Sequence, residues 1–197
     1  MRKLSQKSVL LFAAAMALCA FAMPSIASAS SWGPVGTEHR LDGNFGFLSD
    51  ALATSSMCSR AQLTGDVASA AALEITSASF TGCTISGPFF GTCTMTWTST
   101  NLPWTATAVT TSNIQIHGID IDVVFDNHPD SSACSVVGFP FRITGTLTGA
   151  RWTGNATHEM DVIPGATGLV FHFGILGNNL PLTSTGTLVD TQGLTVN

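Results

Sequence analysis

The chain has 197 residues, of which 45% are hydrophobic and 10% are charged, and its formal net charge is −5 at pH 7. Its seven Lys and Arg residues are too few to build the basic surface that binding of nucleic acid or anionic lipid requires. The length suits one domain with a sizeable hydrophobic core, and the charge excludes nucleic acid as a partner.

Residues 1–29 have the layout of a secretory signal peptide. Arg2, Lys3 and Lys7 form a basic N-terminal region, Val9–Met23 is an apolar run too short to span a membrane, and Ala27–Ala29 offers small residues for cleavage. We therefore predict cleavage after Ala29 and secretion to the cell envelope or the extracellular space. The mature domain should comprise 30–197 and contain no transmembrane segment.

The predicted mature domain is acidic and contains no lysine. The signal peptide holds three of the seven basic residues and none of the twelve acidic ones, so four basic residues remain against twelve acidic ones, a net charge of −8. Catalysis through a lysine amine is thereby excluded. Solubility should depend on hydroxyl side chains and on the acidic excess.

Residues 30–197 have the composition of an all-β domain. Thr, Val, Ile, Phe and Gly dominate, and Gly or Pro interrupts the chain about every ten residues, as turns between short strands do. One helix-like segment, DVASAAALE (66–74), is surrounded by Thr and Ser. We predict a single-domain antiparallel β-sandwich or partly closed barrel of about 9–10 strands with two disulfides.

Four cysteines remain after removal of the signal peptide: Cys58, Cys83, Cys93 and Cys134. An even number in an exported chain indicates two disulfides, and four cysteines allow three pairings. We favour Cys83–Cys93, because Gly87-Pro88 between them suits a hairpin turn, and this choice leaves Cys58–Cys134. Zinc binding is the alternative, but the spacings match no CxxC pattern.

The segment GTCTMTWTSTNLPWTATAVTT (91–111) places threonine at nearly every second position. Successive side chains of a strand point to opposite faces, so Cys93, Met95 and Trp97 should face inward and the threonines outward. On an outer face, β-branched hydroxyl residues favour a strand and remain hydrated. The threonine row is thus predicted to be mainly a solvent face, and Asn101–Pro103 should turn the chain after it.

The segment IQIHGIDIDVVF (114–125) also alternates, but its phase slips at His117-Gly118, where Gly118 is predicted to form a bulge. Asp120 and Asp122 share one face about 7 Å apart, and a carboxylate pair could act in glycoside hydrolysis. Catalytic pairs usually come from separate segments. The preferred interpretation is a solvent-facing acidic stripe, and we assign no catalytic residue.

The loop DNHPDSS (126–132) carries the oxygen ligands that Ca²⁺ prefers, with Asp126, Asn127 and Asp130 as candidates for a cation site. It lacks the dense Asp-x-Asp-x-Asp-Gly pattern, and Asp, Asn and Pro are ordinary turn residues. Three histidines are predicted on strands, without metal-ligand spacing: His117, His158 and His172. We predict no resident metal and no other cofactor.

Two further segments alternate with period two: FRITGTL (141–147) and WTGNATHEMDV (152–162), the second as one strand with Trp152 and His158 on the same face. Trp104 and Trp152 are the candidate ligand-binding residues, because an exposed indole beside Thr and Asn suits stacking on a sugar ring. The alternative, which we prefer, is that both rings belong to the core.

Five features of the chain together resemble small secreted bacterial β-sandwich proteins of unassigned function: FTGCT (80–84), GTCTMTWTSTNLPWTATA (91–108), IDIDVVF (119–125), the fourth cysteine and FRITGTLTG (141–149). This resemblance covers Cys58–Asp161. Within it, Leu102-Pro103-Trp104 is similar to exported proteins known as activators of alkane oxidation. The resemblance implies an extracytoplasmic β fold with a tie to hydrophobic substrates or the cell surface, and it supplies no catalytic residues.

Three functional hypotheses follow. The preferred one is a non-enzymatic secreted or cell-surface protein that acts by binding or surface association, with a cell-surface component, a hydrophobic ligand or a second copy as partner. The second is a binding module for a small apolar or lipid-like ligand, which would need an internal cavity of several hundred Å³. The third is a metal-dependent or triad-type hydrolase, although the chain contains no HExxH, G-x-S-x-G or P-loop motif.

Overall fold

The computed structural model of the protein describes residues 30–88, 91–126, 134, 141–172 and 179–197, without the side chains of 163 and 164. The predicted signal peptide and most of the 126–132 loop lie outside the described residues. The strands are β1 (Trp32–Gly33), β2 (Glu38–Ser49), β3 (Thr54–Ser69), β4 (Ala72–Gly87), β5 (Gly91–Ser99), β6 (Trp104–Thr110), β7 (Asn113–Phe125), β8 (Phe141–Gly154), β9 (Glu159–His172), β10 (Asn179–Asp190) and β11 (Thr195–Val196).

Strands β2 to β10 form one antiparallel sheet that closes into a ring. Neighbours along the chain pair from β2 to β4 and from β7 to β10, and β10 pairs again with β2. Strands β5 and β6 fill one position together, because both lie between β4 and β7, at opposite ends of them. Of the two predicted forms of an all-β domain, the structure adopts the partly closed barrel.

Period-two alternation correctly predicted which side chains enter the ring. In β5, Cys93, Met95 and Trp97 are buried, while the threonines between them are exposed or half-exposed. In β7 the alternation slips as expected at Gly118, which has φ of +75° and lies at a register shift between Ile116 and Ile119. A bulge adds one residue to one strand, so the inward face resumes after it.

The helix-like segment 66–74 is the β3–β4 hairpin, with Val67 opposite Leu73. The prediction of one strand over 152–162 is wrong, because β8 ends at Gly154 and β9 begins at Glu159. His158 therefore lies in the turn between them, with φ of +50° and its N–H bonded to the Gly154 carbonyl. The alternating letters of that segment span two strands, since Gly and Asn favour the turn that separates them.

Both disulfides form, but with a pairing different from the favoured one: Cys58–Cys83 and Cys93–Cys134. The hairpin at Gly87 exists, yet its register places Cys83 opposite Met95 and leaves Cys93 two positions away. Cys83 instead lies directly opposite Cys58 on β3. Directly opposed residues of antiparallel strands have the short Cβ separation that a disulfide needs.

Strands β1 and β11 close one end of the ring, called the sealed end below. Strands β1 and β11 pair through Trp32 and Val196, and the Trp32 amide donates to the Ala70 carbonyl at the β3–β4 turn. Trp32 also packs edge-to-face on Trp152, with ring centroids 6.3 Å apart. Trp32, Leu194 and Val196 are buried there, so the sealed end is an extension of the core.

Candidate functional site

The end of the ring opposite the sealed end contains a small, mostly apolar cavity, called the mouth cavity below. Its volume is about 30 Å³. The described residues that line it are Phe47, Ser49, Leu52, Thr54, Ser56, Ile85, Met95, Trp97, Val123, Phe125, Ile143, Phe171 and Leu182. Leu52, Ser56 and Phe171 are only half-buried, so they form the rim. None of these described lining residues is charged.

The strand pattern explains why aromatic rings meet at the mouth cavity. Phe47 and Trp97 are inward positions of β2 and β5, and the ring brings them face to face with centroids 4.9 Å apart. Phe80 on β4 lies against the same indole at 5.6 Å. Stacked rings bury large apolar areas at little rotational cost, and two of these three, Phe47 and Trp97, form part of the cavity lining.

The rest of the interior is filled by side chains. A second cavity in the middle of the ring, bordered by Phe45, Leu63 and Leu188, has a volume of only about 10 Å³. Pockets that enclose a small organic ligand usually measure roughly 300–1,000 Å³. Neither interior cavity approaches that size, so the described part of the ring does not enclose a whole lipid-like molecule.

Both tryptophans considered as ligand platforms are buried. Trp104 is 2% exposed and donates its indole N–H to the Thr100 carbonyl at 3.1 Å. Trp152 is 4% exposed and donates to Asn155 Oδ1 at 2.9 Å. Trp152 also borders a polar surface hollow of about 380 Å³ beside Arg151, outside the ring. Neither indole presents the open flat face that sugar stacking requires.

Asp120, one of the two neighbouring carboxylates of β7, is held in an ion pair. Asp120 is buried on the outer face of β7, where Arg142 of β8 forms a bidentate ion pair with it, with Nε 2.6 Å from Oδ1. Asn101 and the Thr100 hydroxyl add further hydrogen bonds to Asp120. The hydrogen bond from Arg142 is the main reason that the pKa of Asp120 is lowered to about 2. Asp120 is therefore a structural carboxylate that joins β7 and β8.

Substitution of Asp120 by Asn should weaken the fold in a pH-dependent way. The lowered pKa means that the ion pair contributes fully above about pH 4, the unfolded value, and is lost as the pH falls toward 2. At pH 7 we expect Asp120→Asn to cost about 1–2 kcal/mol, discounted because Arg142 is half-exposed. In urea unfolding, the free energy of unfolding of the wild type should fall between pH 4 and 2, and the variant should lack this decrease.

Arg142→Gln is the matched partner variant, and the double variant should cost little more than either single change. If the unfolding free energy of Asp120→Asn falls with pH as steeply as that of the wild type, other carboxylates cause the acid sensitivity.

The candidate cation ligands are not assembled among the described residues. Asp126 accepts a hydrogen bond from the Thr96 hydroxyl at 2.9 Å, while Asn127 and Asp130 lie outside the described part of the chain. Where the structure describes the chain, no group of three or more His, Cys, Asp or Glu side chains could hold a metal ion. His117 and His172 instead bond to outward threonines, at 3.1 Å to Thr107 and 2.7 Å to Thr144.

One histidine that the sequence did not single out, His39, is buried near the sealed end beside a hydroxyl and a carboxylate. Its Nε2 lies 2.7 Å from Thr37 Oγ1, and its Nδ1 lies 3.4 Å from Asp190 Oδ1. The Thr37 hydroxyl also lies 2.7 Å from the Pro34 carbonyl, to which it can donate. Asp190 Oδ2 accepts two backbone amides of the C-terminal segment. These contacts anchor the C-terminal segment beside His39.

Comparison with known proteins adds one match. The family model "Alkane oxidation protein activator PraA/PraB-like" matches residues 1–196. No curated protein and no solved structure matches the chain. Among the described residues, none of the helical segments is long and apolar enough to cross a membrane.

Proposed function

Because this chain belongs to the PraA/PraB-like family of alkane oxidation protein activators, we propose that it assists alkane oxidation outside the cytoplasm by binding alkyl chains at the mouth cavity. In this proposal the protein is secreted and non-enzymatic, and it acts by surface association. The observation that carries the proposal is the apolar, uncharged lining of the mouth cavity among the described residues. Hydrocarbon offers no polar group to recognise, so an apolar recess is the complementary surface.

The size of the cavity determines how an alkyl chain would bind. A volume of about 30 Å³ admits the end of a chain and not its whole length. The remaining methylenes would lie over the half-buried rim residues Leu52 and Phe171. Such end-on contact suits a protein that associates with an alkane surface or with a cell surface coated by alkane, rather than a carrier that encloses its cargo.

Two features support the proposed location. Disulfides persist mainly in oxidising compartments, and the protein has two of them. Residues 1–29 have the pattern of a secretory signal. Together they favour an extracytoplasmic site of action, where the protein would meet alkane before the cell takes it up.

Introducing a carboxylate at the rim should weaken alkyl binding. We expect Leu52→Asp to lower the affinity for n-heptane about tenfold, because a hydrated carboxylate beside the alkyl chain opposes its burial. The measurement is saturable change in tryptophan emission, since Trp97 lines the cavity. Val109→Asp is the matched control: Val109 is 43% exposed at the end of β6, near the sealed end.

The control variant should bind n-heptane like the wild type. Equal weakening by both substitutions, or binding unaffected by either, would contradict a site at the mouth cavity. Absence of saturable binding to the wild type would contradict the proposed function itself.

A further inference from the structure

A polar hollow lies on the outer surface at the sealed end, between the β6–β7 turn and the end of β8. Its volume is about 380 Å³, within the range of roughly 300–1,000 Å³ that is typical of pockets for small organic ligands. The described residues that line it are Thr111, Ser112, Arg151, Trp152, Thr153, Gly154, Asn155 and Val196. Val196 belongs to β11, so the hollow borders the strand pair that closes this end of the ring.

Hydrogen bonds of Asn155 and Trp152 fix the shape of the hollow. Asn155 Oδ1 accepts the Trp152 indole N–H at 2.9 Å and the Val196 amide at 3.0 Å. The Trp152 amide in turn donates to the Thr111 carbonyl at 3.0 Å, which joins the β6–β7 turn to the end of β8. The elements around the hollow are therefore held in place by the fold itself, and a preformed site loses less freedom when a ligand binds.

Arg151 is the one arginine of the predicted mature domain that has no carboxylate partner among the described residues. Ion pairs with aspartates of the same or a neighbouring strand hold the other three: Arg40, Arg60 and Arg142. Asp161 lies opposite Arg151 in the β8–β9 register without forming an ion pair with it, and its carboxylate accepts the Thr187 hydroxyl at 3.1 Å. The exposed guanidinium of Arg151 therefore keeps its five N–H donors for water or a ligand.

Exposed hydroxyl groups border the same hollow. The Thr111 side chain has no hydrogen-bond partner among the described residues, and the Ser112 hydroxyl shares one hydrogen bond with the Thr110 hydroxyl at 3.2 Å. Arg151 and Thr153 are both exposed and lie two residues apart on the outward face of β8, roughly 7 Å from each other. The lining thus combines one unpaired cation with neutral groups that can donate or accept a hydrogen bond.

The chemistry of the lining defines the class of ligand. A guanidinium matches a planar carboxylate through two parallel hydrogen bonds. A phosphate monoester carries nearly two negative charges at pH 7, and a single arginine on a domain of net charge −8 would leave one of them uncompensated. Hydroxyl side chains suit the hydroxyl groups of a sugar ring. Trp152 is 4% exposed, so a sugar would be recognised through polar contacts and not through stacking.

We infer that this hollow binds a hexuronate, the carboxylated sugar unit of acidic polysaccharides, with Arg151 on the carboxylate and Thr111 and Ser112 on the ring hydroxyls. The inference goes beyond the proposed function, because the hollow lies at the sealed end and the mouth cavity lies at the other end of the ring. A protein held to a surface polysaccharide by its sealed end leaves the mouth cavity open to alkane.

The test compares methyl β-D-glucuronide with methyl β-D-glucoside, which lacks the carboxylate, in NMR titrations of the ¹⁵N-labelled protein at low ionic strength. The glucuronide should shift the amide resonances of Thr111, Ser112 and Thr153 saturably, and the glucoside should bind about tenfold more weakly. Arg151→Gln should weaken glucuronide binding about tenfold, the worth of a charged hydrogen bond, and leave glucoside binding unchanged. Arg60→Gln is the matched control, because it removes the same charge from an exposed arginine of β3.

The control should bind both sugars like the wild type, and both variants should keep the wild-type thermal midpoint, because both arginines are exposed. Sodium acetate supplies a carboxylate without the sugar ring and should bind about tenfold more weakly than the glucuronide. Absence of saturable glucuronide shifts at the hollow, equal affinities for acetate and glucuronide, or equal weakening by both variants would overturn the inference. Binding of n-heptane tests the proposed function separately, and it should be the same in all three proteins.

Discussion

We expect the free energy of unfolding of the double variant Cys58→Ala/Cys83→Ala to be about 3–4 kcal/mol lower than that of the wild type. This value follows from the loop entropy of a 25-residue separation between the two cysteines. The bond joins directly opposed residues of β3 and β4, and both sulfurs are buried in the ring. Removal of Cys93–Cys134, with a separation of 41, should cost about 4 kcal/mol by the same reasoning. Urea unfolding under non-reducing conditions measures both losses.

The control for the first double variant is Ser55→Ala/Ser86→Ala, an exposed pair that lies opposite on the same two strands. It should change the unfolding free energy by less than about 0.5 kcal/mol. Mass spectrometry of peptic peptides from the unreduced protein tests the pairing directly. A disulfide-linked peptide that contains Cys83 and Cys93 would contradict the structure and support the pairing predicted from the sequence.

Replacing Trp97 by Ala should destabilise the protein by about 3–5 kcal/mol, the usual cost of emptying a buried aromatic position. The indole stacks on Phe47 and packs against Phe80, so both rings lose their partner. Thermal and urea unfolding measure the loss. The enlarged apolar cavity should also take up n-hexane, which would raise the thermal midpoint of the variant.

Trp97→Phe is the matched variant, because it keeps an aromatic ring on Phe47 and gives up only part of the buried area. Its cost should remain below about 1.5 kcal/mol. Similar losses for the Ala and Phe variants would mean that the indole N–H, and not ring packing, stabilises this end of the core.

The disulfides show how far local pattern extends and where it fails. The four cysteines of the predicted mature domain correctly predicted two bonds, and Gly87-Pro88 correctly predicted a hairpin between Cys83 and Cys93. The pairing depended on the register of this hairpin, in which Gly87 pairs with Gly91 and Cys83 therefore lies opposite Met95. The sequence does not show which residues pair across the turn, so hairpin proximity was mistaken for direct opposition.

The mouth cavity was beyond prediction for a related reason. Alternation placed Trp97 inward, and the structure confirms it. Ser49 carried no signal, because a serine before Asp50 is typical of an N-cap, and only the ring shows that this residue lines an apolar cavity. Asp120 likewise resembled a solvent-facing acid until Arg142 was found beside it on β8.

By itself, the sequence determined the all-β class, the inward and outward faces of β5, β7 and β8, the bulge at Gly118 and the presence of two disulfides. These features follow from composition and from a period of two, both of which are local. Tertiary structure decided the cysteine pairing, the closure of the ring and the presence of Ser49 and Trp97 at one cavity. Each of these depends on the register between strands that are distant in sequence. That register is selected by burial of the inward faces of all the strands together.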